Sequence, residues 1–188
     1  PVLLTQGSFI CNAVVDSAGG IHFVYGHLFD VATNPRNGIW TRYLPSGGSW
    51  GAAELAYGNT DDGNWPRCSA VAVHGTTLWI SIETNSNQYI KKRPAGGPWP
   101  AGTGTLFSPD GAAMRIAFSP TTSEVVAMYH QDVGGAEDGP WYEIYARYSY
   151  DDGVSWSAAQ NISAMTNDID RNPEIVYVAA LGHAYGPQ

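Results

Sequence analysis

Apolar and polar positions alternate in short runs along this chain, and Gly or Pro sits in the turns between them. Residues 11–25, CNAVVDSAGGIHFVY, align with 68–82, CSAVAVHGTTLWISI, once one residue of the first turn is dropped. Alternation on both sides of a tight turn predicts a β-hairpin. The same unit returns at 114–129, MRIAFSPTTSEVVAMY, and at 173–185, PEIVYVAALGHAY. After each of the first three hairpins comes a strand with a basic residue, a Gly turn and then Trp: TRYLPSGGSW (41–50), KKRPAGGPW (91–99) and ARYSYDDGVSW (146–156). A weaker fourth strand follows each Trp, near 52–57, 104–108 and 158–163. No stretch sustains apolar positions at i, i+3, i+4 and i+7, so long helices are not expected.

Trp50, Trp99 and Trp156 are 49 and 57 residues apart, the spacing of a repeated four-stranded unit. Units of this size cannot bury both faces alone and stack radially, which predicts an all-β protein, a β-propeller of four-stranded antiparallel blades. A two-sheet sandwich is the alternative, but it does not explain why the Trp recurs with the hairpin. The expected order is a D strand at 1–6, blade one at 8–57, blade two at 67–108, blade three at 113–163 and the start of a fourth at 173–186: three full blades plus a partial one. Such a chain is a fragment, or is completed by strand exchange in a homo-oligomer, or closes a small ring; a non-closing exchange would build a fibre of self-assembling copies.

Composition narrows the partners. Nine Lys and Arg against 17 Asp and Glu give a net charge of −8, which argues against nucleic acid. No apolar window is long enough for membrane insertion by a helix. Charged residues make up only 14% and just two are Lys, while Gly, Trp and Tyr are plentiful, a balance that suits a secreted or extracellular β-protein. Cys11 and Cys68 occupy aligned positions and read as small core residues rather than a disulfide pair. Asn161-Ile162-Ser163 is a glycosylation sequon.

Ser149, Asp151, Gly153, Ser155 and Trp156 in SYDDGVSW fit the Asp-box pattern S-x-D-x-G-x-[ST]-W at every fixed position. The carboxylate suits turn N–H groups, the Gly a positive φ, and the hydroxyls tie the hairpin. The segment resembles the Asp-box (BNR) repeat of sialidase-like propellers. Blades one and two keep only Gly48-Ser49-Trp50 and Gly97-Pro98-Trp99, degenerate copies without the Asp. The resemblance implies six blades, about 300 residues in all, and in that family the motif marks the fold and lies away from catalysis.

In a propeller the D-to-A and B-to-C connections emerge on one face, where long loops carry binding. Arg67, Arg115 and Arg171 lie at or within two residues of the expected A-strand starts. An arginine cluster clamps a carboxylate, as in sialidases; the favoured reading is instead that each pairs with an acid such as Asp61, Asp62, Asp110 or Asp170. Trp65 and Trp141 are candidate sugar-stacking platforms, and Asp62 and Asp132 candidate ligand-binding acids. Hydrolysis needs two carboxylates, or a Tyr activated by Glu, with Tyr25 and Tyr129 as candidates. No catalytic set is assigned, and no metal or cofactor is expected; calcium in the acid-rich loops is a lesser alternative, since neither matches D-x-D-x-D-G. The leading expectation is a non-catalytic module that binds glycans or serves a larger assembly. The alternatives are a glycoside-hydrolase fragment and a fibre subunit.

Overall fold

A computed structural model describes residues 8–27, 37–59, 66–84, 87–94, 97–134, 142–163, 176–178 and 183–185. Every regular element among them is a strand. Strands β1 (Ser8–Val15), β2 (Ile21–His27), β3 (Asn37–Leu44) and β4 (Glu54–Asn59) form one antiparallel sheet in the order β1-β2-β3-β4. A second sheet holds β5 (Val71–His74), β6 (Thr77–Thr84), β7 (Asn87–Arg93) and β8 (Thr105–Ser108) in the same order. The third comprises β9 (Gly111–Phe118), β10 (Val125–Asp132), β11 (Tyr142–Ser149) and β12 (Gln160–Asn161). A last pair joins β13 (Val176–Val178) to β14 (His183–Tyr185). Each four-stranded sheet is a meander in chain order, the arrangement the repeats predict. The chain divides into two compact units, Pro1–Phe107 and Ser108–Gln188.

In the first unit the two sheets share one core. Val24 and Ile39 from β2 and β3 and Ala56 from β4 pack with Val71 of β5 and with Leu78, Ile80 and Ile82 of β6. Burying an aliphatic side chain of this size stabilises by about 1.5–3 kcal/mol, so this seam holds the two blades together. Polar ties cross the same seam. The Trp99 indole N–H donates to Thr41 Oγ1 at 3.0 Å, Ser17 Oγ donates to Gly75 O at 3.3 Å, and Arg93 pairs with Glu54. Trp50 is placed differently, half-exposed and edge-on to Phe23 of its own sheet. The recurring tryptophans therefore do not all do the same job.

Gly104 shows why the turn before β8 tolerates only glycine. Its φ is +114°, and a Cβ there would stand 2.6 Å from the carbonyl oxygen of Ile90. In the second unit Val126 and Met128 of β10 and Ala146 of β11 form the core, with Ile144 and Tyr148 against it.

Two expectations change in detail. Strand β9 begins at Gly111, so Arg115 is its fifth residue and not near its start. Cys11 sits where the β1–β2 register shifts, between Ile10 and Asn12, whereas Cys68 precedes β5, so the aligned pair is not equivalent in the sheets. Cys68 is in no disulfide, and its Sγ lies 3.4 Å from Ala70 O. The expected D strand at 1–6 lies outside the described residues.

Candidate functional site

The second blade gathers a polar cluster at the end where β6 runs out toward β7. Arg67 and Glu83 exchange both backbone hydrogen bonds, at 2.9 and 2.8 Å, in an isolated bridge ahead of the start of β5. Just inside it, Ser81 Oγ accepts the N–H groups of Ser69 (3.0 Å) and Ala70 (2.8 Å) and meets Ser69 Oγ at 3.1 Å. This buried hydroxyl fixes the entry into β5, and with it the Arg67 backbone beside Glu83.

The Glu83 carboxylate is held on both oxygens. Its side chain is 17% exposed, with Arg67 Nη1 3.9 Å from Oε1 and Gln88 Nε2 3.4 Å from Oε2. Arg67 is 73% exposed on its side chain, and an ion pair that long and that open contributes little. Gln88 is fully buried, and its Oε1 has no hydrogen-bond partner among the described residues. Its amide is thus spent on orienting Glu83, at the cost of leaving an acceptor unmet. A largely buried carboxylate, oriented by an amide at a strand end, suits proton transfer or charge stabilisation at a reacting centre. Counted from the start of each B strand, the same place holds His27 in β2 and Gln131 in β10. The acid belongs to one blade and not to the repeat.

The other candidates have definite places. The Arg115 guanidinium donates to Met114 O at 3.0 Å. Asp132 ends β10, and its Oδ1 accepts the N–H of Gly134 at 2.9 Å, shaping the turn that follows. Arg67 belongs to the first unit, Arg115 to the second, and Arg171, Trp65, Trp141 and Asp62 lie outside the described residues. Tyr25 and Tyr129 are both buried, and burial pushes both phenols up in pKa, with Arg42 opposing at Tyr25 and Ser108 and Arg147 opposing at Tyr129. Neither is poised as a phenolate. Among the described residues no three His, Cys, Asp or Glu side chains are grouped to hold a metal ion. The acid-rich stretches 60–65 and 135–141 are not among them. Glu83 and Gln88 went unnoticed in the sequence; the available signal was an acid closing the apolar run LWISIE.

Other acids organise turns. Asp151 Oδ1 accepts the N–H of Ser155 (2.9 Å) and the hydroxyl of Ser149 (2.8 Å), while Oδ2 accepts the Ser155 hydroxyl at 2.5 Å. Ser149 Oγ in turn accepts the N–H of Gly153, whose φ is +71°. The hydroxyl and then the N–H of Ser155, with Ser149 behind them, hold the Asp151 carboxyl at about 2, below its ordinary 3.8. A group lowered on folding stabilises above its unfolded pKa and loses that contribution as pH falls through the folded value. Calorimetry should therefore show the melting temperature dropping as pH falls from about 3.8 toward 2, and Asp151→Asn should melt lower at neutral pH and flatten that drop. An unchanged acid limb in the variant would mean the carboxylate does not tie the hairpin.

In the first blade Asp16 plays a similar part between β1 and β2. It accepts the N–H groups of Ala18 (2.9 Å) and Gly20 (2.8 Å) and lies 3.1 Å from His22 Nε2. His22 stacks on Tyr43, and a Cβ at Gly20 would collide with that phenol. Burial alone would raise the Asp16 pKa; the hydrogen bonds from Gly20, His22, Tyr43 and Ala18 outweigh it and lower it. His22 is a turn residue held in place by Asp16 and Tyr43.

Among solved structures, the crystal structure of a thermostable family-43 glycoside hydrolase superposes with a TM-score of 0.53 at 16% identity, covering 87% of this chain and 61% of that one. The chain has a β-propeller fold. Its three four-stranded sheets are propeller blades, and the chain spans less than two thirds of the hydrolase it resembles. No protein-family profile matches the sequence, and no curated protein matches it. In the propeller, Arg67, Glu83 and Gln88 sit at the end from which D-to-A and B-to-C connections leave.

Proposed function

We propose that this propeller is part of a glycoside hydrolase and that Glu83 is one of its working carboxylates. The observation that carries the reading is the Glu83 side chain itself: mostly buried, oriented by the buried amide of Gln88, at the loop-bearing end of a blade, and absent from the equivalent strand place in the other two. Residues that repeat serve the fold, and those that do not are free to serve chemistry. The likeness to a glycoside hydrolase supports this over the non-catalytic module expected from the sequence. Glycosidic bond cleavage runs through an oxocarbenium-like transition state and takes two acidic groups, one to protonate the leaving oxygen and one to attack or activate water. Glu83 would fill one role, and a carboxylate from another blade the second.

The Asp-box hairpin favours a narrower version, in which the substrate is a sialoside and its carboxylate meets Arg67. Support for it is the hydrogen-bonded hairpin around Asp151, which reproduces the pattern's logic residue by residue. A secreted location, where glycans are met, suits the Lys-poor composition.

A panel of chromogenic aryl glycosides that includes a sialoside tests both. Release of the aryl group from a neutral glycoside supports the general reading, and release from the sialoside alone supports the narrower one. Saccharide binding without cleavage would return the chain to the class of glycan-binding modules. The absence of both cleavage and binding would overturn the proposal.

A further inference from the structure

Lys91 is a buried cation that meets no counter-charge among the described residues. It lies in β7 at 4% exposure, and its Nζ donates to Ala56 O of the first blade and to Gly102 O of the second, both at 2.7 Å. An ammonium has three N–H donors, and these two carbonyls take two of them; no acceptor among the described residues takes the third. No described carboxylate pairs with it either. Glu54, the acid that opens β4, is taken by Arg93. Neutral carbonyls satisfy hydrogen bonds but leave the charge uncompensated, an expensive state in a low-dielectric setting. Burial accordingly pushes the Lys91 pKa down.

Lys91 lines an open cleft of about 510 Å³ between the blades, walled by Trp99, Tyr57, Leu55 and Pro100 with Thr103 at its side. That volume is in the range of small-ligand sites. One positive charge matches a monoanion, whereas a phosphate monoester calls for several cations or an Arg fork. Aromatic and aliphatic walls around a single charged anchor suit a ring with an apolar face and one acidic substituent.

We propose that this cleft binds an acidic saccharide unit, its carboxylate accepting the free N–H of Lys91 and its ring lying along Trp99 and Tyr57. The site is separate from Glu83 and does not depend on whether Glu83 supports hydrolysis.

Calorimetric titration with glucuronate, glucose and acetate tests it. Glucuronate should bind, glucose and acetate at least about tenfold more weakly, because each lacks one of the two features recognised. Lys91→Met removes the anchor and should abolish glucuronate binding, while Glu83→Gln should leave it intact. Trp99→Leu keeps the lysine and should weaken glucuronate by about tenfold, bringing it toward acetate; it also serves if the methionine variant does not fold. Failure of the unaltered chain to bind glucuronate overturns the proposal. Equal binding of acetate and glucuronate would mean an adventitious ion only and overturn the saccharide assignment. Glucuronate binding that survives Lys91→Met, or is lost in Glu83→Gln instead, would place it elsewhere and overturn the site.

Discussion

Replacing Glu83 by Gln is expected to cut glycoside turnover by about a hundredfold to ten-thousandfold, the range for removing a group that transfers a proton in the transition state, while hardly moving the melting temperature. The reasoning separates two roles that a buried acid can play. If Glu83 were there to hold the blade, its loss would register in stability, because Arg67 and Gln88 would lose their partner. The Arg67 contact is long and exposed, worth about 0–1 kcal/mol at most, and a Gln side chain still accepts from Gln88 Nε2 through its own amide oxygen. The shape and one hydrogen bond are kept; the charge and the exchangeable proton are not. Steady-state kinetics on the best aryl glycoside, beside a thermal melt of the same preparation, reads both. Turnover within a few-fold of the unaltered chain would make Glu83 a structural acid and remove the main support for hydrolysis.

What could be read in advance follows the repeat. Strands, turn glycines and the Asp-box hairpin are local: alternation fixes which residues face the sheet interior, and Ser149, Asp151 and Ser155 bond to groups within six residues of one another. The propeller fold follows from seeing the unit recur. Glu83 was opaque for the opposite reason. One acid at the end of an apolar strand carries no pattern, and its importance comes from Gln88 and Arg67, brought beside it by sheet pairing and not by spacing. Arg115 shows how register misleads. Its alignment with Arg67 took β9 to start late, but the strand extends back to Gly111 and crosses a register shift between Met128 and His130. The recurring tryptophans share a spacing and not a role: Trp99 spans two blades and Trp50 packs within one.

The other large effect expected is on stability. Ile80→Ala should destabilise the first unit by about 2–5 kcal/mol, as deletion of a large buried aliphatic does. Ile80 has no solvent exposure and sits in β6 between Val71 of β5 and Lys91 of β7. Its side chain belongs to the cluster that also holds Val24, Ile39 and Ala56 of the first blade, so the cavity opens in a core that both sheets share. Chemical denaturation measures the loss, with Val154→Ala as the control. Val154 is 80% exposed, and its change should stay within about 0.5 kcal/mol. Amide exchange then shows how far the damage spreads. If the two blades are one cooperative body, protection at Val24 and Ile39 falls together with protection at Ile82, although the substitution lies in another sheet. Loss confined to β5, β6 and β7 would mean that each blade is stable by itself and that the seam only brings them into contact. A cooperative seam also explains why Lys91, Arg93 and Trp99 all reach across it: each polar tie is held by apolar packing that neither blade supplies alone.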